Sequence, residues 1–428
     1  MGTTVDGLVS GMSTSSMIGQ LMQIEALPQT RLKSKVSSAE SVVTAYQSVN
    51  TKLAALKTAG NDLSQLSTWR SIKPASTSTA VTAAATPGVT SPQTGSLTFD
   101  VARLAKAQIS TTRVDSGADI TSSDTFTITI GTGDPVTIDL AGKRTAQDVS
   151  DAVNSAGIGV KSSVVKTSTG DSVLQFTSSK TGEANAFTID GTDFALQTAV
   201  AAQDAMLQVG GADEDGGYSV TSSSNTFTNL MNGVTLTATK QEQNVTVDVG
   251  ADISGMADKI KAMVDAANAV LSEVTKQTKY DATTKKGSAL SADFMVRQIS
   301  QNVLSAVSQG QTDIGSLSKL GVQLEKDGTL SFKKEAFEAS YNADPDKFTD
   351  AGIAFGNTME ALAKKQTTNV TNAVTGRKSL IDSMNDQIDN WDVRLEQRRT
   401  TLTKQYAALE TALSSLKSQS SYLSSQLG

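Results

Sequence analysis

The chain has 428 residues, room for about three domains at roughly 150 residues each. Its 37 Lys+Arg against 43 Asp+Glu leave a formal net charge of -6, which argues against a broad basic surface for nucleic acid. The absence of histidine and cysteine excludes Ser-His-Asp and Cys-His nucleophiles, thiol redox chemistry and His- or Cys-based zinc sites, and no cofactor is expected.

Met1 to Asp6 carries neither a basic region nor an apolar core of seven or more residues, so no cleaved secretory signal is expected. No apolar run reaches transmembrane length either, and no membrane insertion is expected. These features read as cytoplasmic unless the chain leaves by a route without a cleaved signal. Residues 13 to about 67 have a helical pattern, with Pro28 ending one helix and beginning another. In the second helix Val42, Val49, Leu56 and Leu63 recur every seven residues, alongside Leu32, Ala39, Tyr46 and Leu53. That is a short a/d seam, and Gly60 is expected to weaken it before Trp69.

From Pro74 the texture turns to Ser, Thr, Ala and Gly, followed by alternating runs at Ser96–Val101, Thr125–Ile130, Val136–Leu140, Gly159–Val165, Val173–Thr177 and Ala186–Ile189. A short helix with a Thr145 cap and a Gly157 stop separates the second of the 125–189 strands from the third, giving β-β-α-β-β-β. A second strand group runs through 206–209, 218–220, 234–237 and 245–249. After Ile253 the helical period returns, with helices expected at 293–307 and 330–341 before the Asp344-Pro345 break.

In the last helix Ile381, Ile388, Leu395, Leu402, Leu409, Leu416 and Leu423 keep a strict seven-residue interval. Met384 and Trp391 fill the companion positions first, and then Arg398, Gln405, Gln419 and Gln426 replace them. The seam therefore drifts, and a helix of about 50 residues, about 75 Å long, needs another long helix beside it. The N-terminal seam of Val42, Tyr46, Val49, Leu53 and Leu56 is the natural partner. The fold class is α+β and multi-domain: N- and C-terminal helices pair into a coiled-coil-like stalk with two β-rich domains inserted between them. The expected divisions are a leg segment at 1–40 that orders on assembly, a helical domain of 41–73 plus 250–375, a β domain of 74–112 plus 203–249, an outer β domain at 113–202, and the stalk helix at 376–428.

Several clusters have plain structural readings. Asp213-Glu214-Asp215 lacks the full calcium-loop spacing and reads as a solvated hairpin tip, and Gly131 to Pro135 lacks a following Lys and reads as a turn. Arg394, Arg398, Arg399 and Lys404 read as a charged solvent face, with Arg398 in the seam expected to matter most. An enzyme working through two carboxylates, such as a glycoside hydrolase, is disfavoured by an aromatic content of 4%.

Gly7-Leu8, Ser10-Gly11-Met12, Leu21-Met22, Glu25 and Pro28 follow in the order of the bacterial flagellar filament-capping (hook-associated protein type 2) family, which the chain resembles. Met12 departs from that family's usual Leu. Thr145 to Asp148 with Gln175 to Gly182 resembles the flagellin-type repeat, and Ser224 to Phe227 with Asn232 to Leu236 resembles the family's second β domain. Leu320-Gly321-Val322, Asp327 to Leu330 and the terminal Ser421 to Leu427 complete the order. The resemblance implies a non-enzymatic homo-oligomeric ring at the distal tip of the flagellum, exported without a cleaved signal. Its implied partners are flagellin, further copies of itself, the hook-filament junction protein and a cytoplasmic export chaperone at the C-terminus. Some family members act as adhesins, so tips at 115–124 and 167–171 are candidates for a host surface ligand. The alternative role is a surface adhesin or another junction protein built on the same stalk.

Overall fold

The computed structural model describes residues 13–427 except 169–170, 212–215 and 312. Two units make up the chain: residues up to Thr68 with those from Ala257 onward, and Trp69–Met256 between them. The first unit opens with α1 (Thr14–Glu25) and α2 (Leu27–Ser64), separated by Ala26, which itself keeps helical angles of −80° and −8°. Pro28 stands in the first turn of α2, where its missing N–H costs no intrahelical bond, so the helix restarts at the expected place. The short α3 (Leu66–Trp69) follows.

Trp69–Met256 is a β unit whose named ladders are all antiparallel. Its first strands are β1 (Ile72–Ser76), β2 (Val81–Ala85), β3 (Gly95–Arg103), β4 (Ile109–Val114), β5 (Thr125–Ile130) and β6 (Val136–Asp139). Then come α4 (Ala146–Ala156), β7 (Val160–Lys166), β8 (Ser172–Ser178), β9 (Phe187–Asp190) and β10 (Gln197–Val200). The last five are β11 (Ala205–Val209), β12 (Tyr218–Ser222), β13 (Thr226–Met231), β14 (Val234–Ala238) and β15 (Glu242–Ala251). A five-stranded sheet ordered β1-β15-β3-β11-β12 and a three-stranded sheet β13-β14-β2 share a core containing Phe99, Val101, Leu207, Phe227 and Leu236. A second core, with Phe126, Val149, Leu174, Phe176 and Phe187, lies among β10-β4-β8-β7, β6-β5-β9 and α4.

The β-β-α-β-β-β order is present, but β5 pairs with β6 and β9 while β7 pairs with β8, so the module is two small sheets. Thr145 accepts from the Asp148 N–H while the Asp148 carboxylate accepts from the Thr145 N–H, and Gly157 closes α4 at φ 63°. The boundary expected between 112 and 113 falls inside β4, whose pairing with β8 assigns Ile109–Val114 to the outer module. β1 and β2 had no alternating signal: β2 reads Val-Thr-Ala-Ala-Ala, and Pro74 sits in β1, tolerated because that strand is an edge.

Then α5 (Ile253–Thr278), the hairpin β16 (Tyr280–Asp281) and β17 (Lys286–Gly287), α6 (Phe294–Ser308), the hairpin β18 (Val322–Leu324) and β19 (Leu330–Phe332), α7 (Lys334–Ala343) and α8 (Pro345–Leu427) complete the chain. The helix expected over 330–341 is a strand followed by a helix: β19 ends at Phe332 and α7 starts at Lys334. The terminal helix begins at Pro345, not 376, and its 83 residues extend about 125 Å. Proline at its first position is compatible with that start.

Candidate assembly interface

α8 runs antiparallel to α2 and α1. The pairing is read from residues that meet along it, Gly60 with Gly356 through their backbones and Asn50 with Thr371, Gln29 with Asp392, Glu25 with Arg398 and Met17 with Tyr406 through their side chains. On α2, Tyr46, Val49, Leu53, Leu56 and Leu63 are buried, and on α8 so are Phe355, Met359, Ala363 and Val370. Gly60 does not weaken this seam. A Cβ there would lie 2.7 Å from the Glu360 N and 3.0 Å from the Gly356 O, and one on Gly356 would lie 2.6 Å from the Ser64 N. Two facing glycines bring the helix backbones together where a leucine would hold them apart.

Asp293, the N-cap of α6, accepts from the Val296 N–H at 3.0 Å and from the Tyr46 hydroxyl. Burial first, and this hydrogen bond second, push the Tyr46 phenol up to about 12. The ring thereby ties α6 to α2.

Towards the chain ends the seam narrows to a small cluster of Val36, Ala39, Met384 and Ile388, flanked by Leu32 and Ile381. Gln29 is buried among these helices, and its amide donates to the Asp392 carboxylate at 2.6 Å and to the Ile388 carbonyl at 3.3 Å. A satisfied polar group in an apolar seam fixes helix register, because sliding by a turn would leave it unpaired. Further out, Arg398 Nε meets Glu25 Oε1 at 3.2 Å, and Tyr406 reaches the Met17 sulfur at 3.9 Å. Arg398 and Glu25 are about half exposed, which limits their pair to a fraction of a kcal/mol.

Of the expected seam residues on α2, Val42 is half-buried and its neighbour Val43 takes the buried position. On α8, Ile388 and Leu402 are buried, while Ile381, Trp391 and Leu395 are half-buried. Leu409, Leu416 and Leu423 are 46%, 60% and 57% exposed, so the structure does not bring them into the intrachain seam among the described residues. Gly7, Leu8, Ser10 and Gly11 lie outside the described residues. Leu21 is exposed, Met22 and Glu25 are half-buried on α1, and Pro28 opens α2. Arg394 stacks on Trp391 at 5.6 Å from the ring centre, and Arg399 and Lys404 are exposed. Sequence reasoning missed Gln29, Gly356 and the Asp293–Tyr46 bond. A glutamine one residue after the proline was the available signal for the first, and an Asp immediately before Phe294 for the third.

Two other expectations meet the structure differently. Within 115–124, Asp115 to Asp119 are exposed, whereas the 121–124 end is tied down: Asp124 pairs with Arg144 at 2.8 Å, Asp193 accepts from the Ser122 N–H and hydroxyl, and Thr121 is buried. The Ser122 hydroxyl foremost holds the Asp193 carboxyl below its usual range. The 167–171 tip lies partly, and Asp213 to Asp215 wholly, outside the described residues. Among the described residues no group of three His, Cys, Asp or Glu is placed to hold a metal ion, and no helix is long and apolar enough to cross a membrane.

Comparison with known proteins places the chain among flagellar proteins. A family model described as Flagellar hook-associated protein 2 C-terminus matches residues 202–418, and one described as Flagellar hook-associated protein 2 N-terminus matches 10–108. The chain is 27% identical to the lateral flagellar hook-associated protein 2 of Vibrio parahaemolyticus over 346 residues, covering 74% of this chain and 76% of that protein. It is 26% identical to the flagellar hook-associated protein 2 of Escherichia coli K12 over 465 residues, covering 98% and 97%. Among solved structures, the D1-D2-D3 domains of the flagellar cap protein FliD from Escherichia coli match with a TM-score of 0.62 and 25% identity, over 78% of this chain and 99% of that one.

Proposed function

Because the chain belongs to the flagellar hook-associated protein 2 family, we propose that it caps the growing flagellar filament. The observation carrying this reading is that the two family models cover both arms of the antiparallel helix pair, together with much of the β unit that the sequence inserts between them. In this reading several copies form a small ring at the distal tip, outside the cell, after export without a cleaved signal. The ring keeps exported flagellin from escaping and guides it into the lattice, so that the filament elongates. It catalyses no covalent step.

The leg supplies the working surface. Leu409, Leu416 and Leu423 continue the heptad beyond the buried part of the seam and stay exposed, the arrangement of a helix awaiting a partner. Burying the exposed half of each would contribute about 1 kcal/mol, enough to hold a flagellin helix when several copies act together and little enough to release it. Gln405, Gln419 and Gln426 between them keep the surface from closing into a permanent coiled coil. The same exposed C-terminal stretch is the segment an export chaperone would cover beforehand, and the base of the ring would meet the hook-filament junction protein.

Deleting the gene in the source bacterium and restoring it, with flagellin measured in the culture medium, tests this reading. Flagellin monomer leaking only from the deletion strain is the expected result. Normal filaments without leakage would reject the cap and favour an adhesin or junction role.

A further inference from the structure

Between α5 and α6 the chain forms a lobe, residues 279–294, whose shape is fixed from several sides. Asp281 accepts from the Thr283 and Thr284 N–H groups and from the Thr284 hydroxyl at 2.8 Å, which closes the hairpin tip. Leu290 is buried beneath it, and Asp293 is bound to Tyr46. This scaffold nevertheless presents two aromatic rings to solvent: Tyr280 is 60% and Phe294 73% exposed. The same lobe exposes Lys279, Lys285 and Lys286 alongside the single exposed carboxylate of Asp281, and none of the three lysines has an ion-pair partner among the described residues. Aromatic anchors on a hydrogen-bonded support with a charged rim are the make-up of a protein-binding hot spot.

The same unit carries the opposite surface. Asp382, Asp386 and Asp389 stand at i, i+4 and i+7 on α8, all exposed and without an ion pair among the described residues, and Val393, 59% exposed, extends the stripe. Like charges at that spacing repel along a helix, an arrangement that a cationic partner would relieve. Two complementary patches on different elements of one unit permit a head-to-tail contact, the type that closes rings.

We propose that the basic aromatic lobe at 279–294 of one copy docks on the Asp382–Asp386–Asp389 stripe of the next copy, and that this contact joins neighbouring subunits of the ring. The inference rests on the ring reading above. Phe294 and Tyr280 would pack beside Val393 while the lysines meet the aspartates. Because the charges are exposed, the contact weakens as salt rises.

Sedimentation of the full chain tests it with four proteins: wild type, K285E/K286E, D386K/D389K and all four substitutions together. Each charge-reversed pair is expected to weaken self-association at least about tenfold, by placing like charges opposite one another. The combined variant, with both signs exchanged, is expected to restore it. Circular dichroism confirms folding of each, and Phe294→Ser gives a second loss independent of charge. Wild type that stays a monomer at every concentration would overturn the ring reading itself. Wild type that assembles, with both reversed pairs assembling equally well or with no rescue in the folded combined variant, would overturn this contact alone. Reversed pairs that self-associate normally but lose flagellin binding would also overturn it, by making the lobe a filament contact.

Discussion

Tyr46 shows how one side chain ties the helical unit together: it is 4% exposed, and its hydroxyl donates to the carboxylate that also caps α6. Its phenol is pushed from 10.0 up to about 12, so the folded chain holds that proton more tightly than the unfolded chain does. The associated stability is complete below about pH 10 and is lost as pH rises through about 12. Tyr46→Phe is expected to lower stability at pH 7 by about 1–2 kcal/mol, and urea melts of the two proteins should converge between those pH values. A gap that stayed constant to pH 12 would show that the folded chain holds the Tyr46 proton no more tightly than the unfolded chain does. Tyr46 was legible as a seam residue from its heptad position. Its partner was not, because Asp293 is 247 residues away and local spacing carries no information about such a pair.

At the scale of elements, period decided what could be read. The heptads of α2 and α8 and the alternation of β3, β5 and β8 appear directly in the sequence, since one face of each is buried. The alanine-rich β2 and the proline-bearing β1 escaped, because their pairing is set by neighbouring strands instead of by apolar alternation. Gly60 was misread for a related reason. A missing side chain looks like a gap in one helix, and only the facing Gly356 turns it into the closest approach of two. Gly60→Ala should therefore cost about 1–3 kcal/mol, although alanine favours an isolated helix by about 1 kcal/mol, because the added Cβ meets backbone atoms that cannot rotate away. Chemical denaturation followed by circular dichroism measures this, and a stabilised variant would contradict the packing.

For the whole molecule, the division into terminal helices and an inserted β unit was legible from the change of texture at Pro74 and its reversal after Ile253. The point at which the leg stops being self-sufficient was not. The heptad runs unbroken from Ile381 to Leu423, and only the structure separates the buried Ile388 and Leu402 from the exposed Leu409, Leu416 and Leu423. Those three leucines form the outer apolar stripe that we propose the leg keeps for the filament. The direct measurement is flagellin in the medium of a strain whose only copy of this chain carries Leu409→Asp and Leu416→Asp, with export of the variant verified. Both sites are exposed, so the fold should persist, and leakage equal to that of the deletion strain is expected. Wild-type retention of flagellin by that strain would contradict the account.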